Sequence, residues 1–159
     1  MMVKESKKQD SAETVRTIIE EYHAKPDELI PILLKINHTI GYVSSEVLEQ
    51  ISEIMRIPKS QLQGVASFYS MLYTKVMGKH VVKFCESAPC HVEGGKAVWK
   101  ALQKSLGLSP GETSQDGKWT LMTTSCLGLC AEGPVMMIDE DIYEKVTPNQ
   151  VPEILGKYS

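Results

Sequence analysis

Four cysteines stand at positions 85, 90, 126 and 130, in the pattern C-x4-C-x35-C-x3-C. Thiols in two close pairs have three inorganic fates. They bind one zinc ion, which favours tight knuckles with two to four intervening residues. They hold a [2Fe–2S] cluster, whose wider body takes two thiolates on each iron and suits loops longer than a two-residue knuckle. Or they oxidise to two disulfides, which requires an oxidising compartment. Thiol–disulfide exchange needs a C-x-x-C pair to activate one thiolate, and neither pair has that spacing.

The rest of the composition narrows the setting. The chain has 159 residues, enough for one full domain or two small ones, with 17 Lys plus Arg against 20 Asp plus Glu and a net charge of −3. With 42% hydrophobic and 23% charged residues the sequence reads as globular, and it has no basic excess for nucleic acid. The start MMVKESKKQD has no apolar run behind it, and the longest apolar stretches, Ile30–Leu34 and Val135–Ile138, are too short to span a bilayer. A reducing cytoplasmic setting is therefore expected, without nucleic acid and without membrane insertion.

The elements that must position the cysteines fall into two halves. Residues 1–10 read as a flexible, solvated terminus, and residues 11–73 as a helical bundle. Val15, Ile18, Ile19 and Tyr22 form one apolar stripe behind a polar start at Asp10 or Ser11. Ile30, Leu33, Leu34 and Ile40 form a second, opened by Pro26 with Pro31 in its first turn and closed at Gly41. Ser44 or Ser45 caps a third helix through Val47, Leu48, Ile51 and Met55. Pro58 opens a fourth, with Leu62, Val65, Phe68, Tyr69 and Leu72 on its inner face; Met71 and Tyr73 read as core as well.

After a linker at residues 74–79 the period changes. His80–Phe84 reads as a strand running into Cys85, Ala97 to Leu106 as a helix capped at Gly107, and the Asp116-Gly117 turn leads into a strand through Trp119, Leu121 and Thr123. Pro134–Ile138 and Ile142–Val146 form a hairpin around the acidic turn Asp139–Asp141, and a last helix starts at either Pro148 or Pro152. The fold class is α+β: a helical bundle followed, over residues 80–159, by a thioredoxin-like α/β domain with a mixed four-stranded sheet. A right-handed crossover sets the first two strands parallel, so both cysteine loops leave the same sheet edge. Each half is small enough that its core supplies only about 3–5 kcal/mol, so a staple or a partner surface is expected.

Phe68-Tyr69, Gly78-Lys79-His80, Cys85-x4-Cys90, Gly95, Asp116-Gly117, Ser125-Cys126-Leu127-Gly128-Leu129-Cys130 and Gly133-Pro134-Val135 occur in this order. Together they resemble the thioredoxin-like [2Fe–2S] ferredoxin family: the 24-kDa subunit of NADH dehydrogenases and the small subunits of NAD-dependent hydrogenases and formate dehydrogenases. The resemblance spans about residues 15–156. It implies that Cys85, Cys90, Cys126 and Cys130 ligate one [2Fe–2S] cluster. It also implies a partner flavoprotein subunit holding FMN and binding NAD(H), further iron–sulfur subunits, and single-electron exchange without hydride chemistry in this chain. A free-standing ferredoxin and a structural zinc module for docking are the alternatives. Two departures from the family pattern are Val76-Met77 before Gly78, where a proline is usual, and Asn37, where a glutamine is frequent.

Around the cysteines, the N–H groups of Gly128 and Leu129 and the hydroxyls of Ser87 and Ser125 are candidate donors to sulfur. His91 reads as a helix-start residue, since four cysteines already fill the ligand count. Met122, Met136 and Met137 read as core fillers.

Overall fold

The structure, a computed structural model, describes the backbone of residues 2–158 and the side chains of residues 12–158. It divides into two compact units, Met1–Val76 and Met77–Ser159. Among the described residues no helix is long and apolar enough to cross a membrane.

The first unit contains α1 (Met2–Glu21), a 3-10 turn at Pro26–Glu28, α2 (Leu29–Ile40), α3 (Ser45–Met55) and α4 (Lys59–Phe68). Helix α1 starts upstream of the expected Asp10 or Ser11. Residues 2–10 contain no Gly or Pro and several Lys, Glu and Gln, so nothing local stops the helix there. The side chains that read as a solvated terminus lie outside the described residues. Gly41 closes α2 in the left-handed conformation, with its N–H donating to the Asn37 carbonyl at 2.8 Å. The Ser44 hydroxyl accepts from the Val47 N–H and caps α3. Val15, Ile19, Ile32, Leu33, Ile36, Ile51 and Leu62 are fully buried and form this unit's core.

Phe68 and Met71 do not join that core: they are 79% and 53% exposed. Leu62 and Ala66 take the inward positions of α4, and Phe68 lies two residues, some 200° around the helix, from Ala66. Tyr69 has already left the helix (ψ 107°), so the period that would turn Met71 inward has ended. Asn37 has a role the sequence does not announce. Its Oδ1 accepts from the Tyr73 N–H at 2.8 Å and its Nδ2 donates to the Met71 carbonyl at 3.4 Å, which ties the segment after α4 to α2. Asn37→Ala is expected to lower the stability of this unit by about 1 kcal/mol in urea titrations while leaving the visible spectrum unchanged.

The second unit contains β1 (His80–Cys85), the short α5 (Ala88–Cys90), a wide turn at His91–Gly95, α6 (Lys96–Leu106), β2 (Glu112–Thr113), β3 (Trp119–Thr124), a 3-10 turn at Cys130–Glu132, β4 (Met136–Ile138), β5 (Asp141–Tyr143) and α7 (Val151–Gly156). The sheet order is β2-β3-β1-β4-β5. Strands β1 and β3 are parallel from His80↔Trp119 to Cys85↔Thr124, and β4 is antiparallel to both β1 and β5. Val82, Phe84, Leu121, Met136 and Ile138 from the sheet pack with Val98 and Leu102 of α6 and with Val151, Ile154 and Leu155 of α7. Met136 is fully buried, whereas Met122 and Met137 are half-buried. Pro152 stands in the first turn of α7, and Thr147 and Gln150 close the turn before it.

The sheet has five strands rather than the expected four. The Asp116-Gly117 turn folds residues 112–113 back against Thr120 and Leu121. Gly117 has φ +68°, the Ser114 N–H donates to the Trp119 carbonyl, and the Lys118 N–H donates to Asp116. Two residues are too few for an alternating pattern to register in the sequence.

The acidic run at 139–141 is more than a hairpin turn in water. Asp139 accepts from His80 Nδ1 at 2.7 Å and from the Val81 N–H at 2.8 Å. Asp141 accepts from the Tyr158 hydroxyl, which also pairs with Tyr143 at 2.9 Å. Burial, then these two partners, push the Tyr158 phenol far above its ordinary range.

Candidate metal centre

Strands β1 and β3 lie side by side in parallel and finish level, at Cys85 and Thr124. The loops that follow them therefore leave one edge of the sheet. The first turns into α5, which ends on Cys90; the second reaches Cys126 and enters its 3-10 turn at Cys130. The two turns pack against each other. The Cys85 N–H donates to the Val135 carbonyl and the Glu86 N–H to the Thr124 carbonyl, so the start of the first loop is held from both neighbouring strands.

The site has a buried side and an open side. Cys85 and Cys90 are each 1% exposed and form a small apolar cluster with Val135, against which Leu127 and Leu129 pack. Cys126 and Cys130 are exposed, with their sulfurs 3.1 Å apart. That distance lies well outside the about 2.05 Å of a disulfide, and all four thiols are free. Among the described residues no group of three or more His, Cys, Asp or Glu side chains is arranged to hold a single metal ion. The thiols stand instead as two mutually interacting pairs.

Their electrostatics show how closely they are coupled. Burial works to raise the Cys85 thiol, but hydrogen bonds from the Ser87 and Leu127 backbone, from Cys90 and from the Ser87 hydroxyl outweigh it and leave the thiol lowered. Cys126 is lowered first by its hydrogen bond with Cys130, then by the Gly128 N–H. Cys90 is raised by burial and by the hydrogen bond and charge of Cys85, and Cys130 is raised by the hydrogen bond with Cys126. Each pair thus sets one lowered thiol beside one raised thiol.

Of the expected donors to sulfur, Gly128 reaches Cys126 Sγ at 3.3 Å. Its φ of +88° is one that side chains seldom adopt. The Ser87 hydroxyl acts on both Cys85 and Cys126. Among the described residues no hydrogen bond from the Leu129 N–H to sulfur is present, and Ser125 and His91 are exposed.

Two glycines that the motif contains, but whose purpose its spacing does not reveal, buttress Cys90. A Cβ on Gly95 would lie 2.5 Å from the Cys90 carbonyl oxygen and 3.2 Å from the Phe84 ring. A Cβ on Gly133 would lie 3.3 Å from Cys90 Cα and 3.4 Å from its Sγ. The donor set fits an all-thiolate iron–sulfur group: four thiols, no competing carboxylate or imidazole among them, and a backbone cradle kept open by absent side chains.

The family model described as thioredoxin-like [2Fe-2S] ferredoxin matches residues 15–159. An NADH-quinone oxidoreductase subunit of Escherichia coli (strain K12) is 42% identical over 118 residues, covering 74% of this chain and 71% of that protein. The subunit of the same name from Buchnera aphidicola subsp. Acyrthosiphon pisum is 35% identical over 149 residues, covering 94% and 90%. The crystal structure of an NAD+-reducing [NiFe]-hydrogenase in the air-oxidised state superposes with a TM-score of 0.68 at 20% identity, over 79% of this chain and 22% of the hydrogenase chain. That last likeness is one of fold.

Proposed function

This chain belongs to the thioredoxin-like [2Fe–2S] ferredoxin family, and from that premise we propose that Cys85, Cys90, Cys126 and Cys130 hold one [2Fe–2S] cluster. We further propose that the chain is the electron-transfer subunit of an NADH dehydrogenase or NAD-dependent hydrogenase complex. In this reading it works in the cytoplasm beside further iron–sulfur subunits, and it exchanges single electrons with the FMN of a partner NAD(H)-binding flavoprotein subunit. The observation that carries the proposal is the convergence of two cysteine loops from the level ends of adjacent parallel strands.

When bound, such a cluster takes up and returns one electron. The chain's own residues do the rest. Cys85 and Cys90 anchor the buried side, where Val135, Leu127 and Leu129 exclude water. Cys126 and Cys130 hold the open side, where a partner can approach. The Gly128 N–H and the Ser87 hydroxyl offset negative charge on sulfur, which favours the reduced state. In this reading the four thiols serve as ligands, and the chain is a relay rather than an enzyme of its own.

Purified without oxygen, the chain should contain about two iron and about two sulfide per polypeptide and give a paramagnetic signal when reduced. A colourless protein loaded with zinc would overturn the assignment. Reduction by NADH should require the flavoprotein subunit.

A further inference from the structure

Resting on that reading, we infer that Cys126 and Cys130 close into a reversible disulfide in the chain before its cluster is in place, and that this bond must be reduced before the cluster can enter. Both thiols are exposed and belong to one loop, with their sulfurs 3.1 Å apart. A covalent bond of about 2.05 Å is only about 1 Å closer. The loop between them can supply that movement: Gly128 turns it at φ +88°, and no other part of the protein stands within 4 Å of where its Cβ would lie. Cys85 and Cys90 differ in both respects. Each is 1% exposed, and Val135, Leu127 and Leu129 pack around them. The backbone of Cys90 is further hemmed in by Gly95 and Gly133. An oxidant arriving from water therefore meets the outer pair first.

The oxidant is a low-molecular-weight disulfide. One thiolate of the pair attacks it, forming a mixed disulfide and releasing one small thiol; the second thiolate then attacks the protein sulfur of that bond, closing Cys126 onto Cys130 and releasing the other small thiol. Two protein thiols are oxidised, the small disulfide is reduced, and the two thiol protons pass to the departing thiolates. An exposed bond across so short a loop is of the labile kind, which suits a transient, redox-sensing role in a reducing compartment. While it is closed, Cys85 and Cys90 alone cannot supply the two thiolates that each of two irons requires. The outer pair thus makes cluster entry conditional on reducing surroundings.

The test uses the full chain, stripped of metal by a chelator under argon and then exposed to glutathione disulfide. Peptide mapping by mass spectrometry should find Cys126 joined to Cys130, with Cys85 and Cys90 still open to alkylation once the chain is unfolded. Supplied with ferrous iron and sulfide, the oxidised chain should take up at least about tenfold less iron than the reduced chain, and dithiothreitol should restore the uptake. Cys130→Ala should stop at a mixed disulfide between Cys126 and glutathione, which separates closure of the pair from general thiol reactivity. Four free thiols after this treatment, or a bond between the two loops, would overturn the inference and leave the cluster reading intact. Full iron uptake by the closed chain would overturn both, since the thiols of that loop would then not be ligands. Failure of the reduced chain to bind iron and sulfide would overturn the cluster reading, and the control of cluster entry with it.

Discussion

If the four cysteines hold the cluster as proposed, Gly95→Ala is expected to weaken its retention sharply although it changes none of the cysteines. The added Cβ would sit 2.5 Å from the Cys90 carbonyl oxygen, closer than real Cβ atoms approach anything, and the obstacle is backbone rather than a side chain that can swing away. Phe84, fully buried at 3.2 Å on the other flank, closes the second route of relief. The strain must move α5, and with it Cys90. Overpacking of this kind costs about 1–3 kcal/mol. Displacing a support of a metal ligand typically lowers metal affinity about 10–100-fold. The measurement is iron per chain together with the rate of iron loss to a chelator. Gly94→Ala separates the two causes of harm. Gly94 has φ +95° but open space around its Cβ position, so alanine there costs about 1–2 kcal/mol of backbone strain and should leave iron retention near wild type. Equal retention in the two variants would show that the cradle behind Cys90 does not matter.

Why the sequence discloses the two cysteine loops but not the residues that support them has a physical basis. The cysteine loops are legible because the strands ahead of them are six residues long with apolar character, and because a right-handed crossover leaves one way to lay them in a sheet. Strand β2 is not, since two residues carry no period. Phe68 and Met71 mislead because hydrophobicity says that a side chain would gain by leaving water, not where it does so. Phe68 lies on the face of α4 away from Ala66, and the end of α4 at Phe68 breaks the phase that would turn Met71 inward. Asp139 and Asp141 look like turn residues because their partners, His80 and Tyr158, are distant in sequence. The same distance hides Asn37 and its bond to Tyr73. The purpose of Gly95 and Gly133 is hidden for a different reason: a glycine required for close approach is indistinguishable, in one sequence, from a glycine required for a turn.

Cys126→Ala should abolish visible absorbance and lower the melting temperature of the Met77–Ser159 unit by at least about 10 °C, the shift that a loss of about 2 kcal/mol gives a domain of this size. A thermodynamic cycle, with and without metal, isolates the cause. Cys126 is exposed and packs into no core; its polar contacts are the Cys130 sulfur, the Gly128 N–H and the Ser87 hydroxyl. In the metal-free protein its removal should therefore be nearly silent, within about 0.5 kcal/mol. Binding free energy at a metal centre that the unfolded chain cannot hold is folding free energy. The large loss should appear only when wild type carries its cluster, and chelator-treated wild type should melt with the variant. Cys85→Ala must behave differently, because Cys85 is buried with Val135 and Cys90: its removal leaves a cavity and costs stability with or without metal. A Cys126 variant that destabilises the metal-free chain as much as the loaded one would mean that the thiol itself holds the loop, and the stabilising role assigned to the cluster would have to be withdrawn.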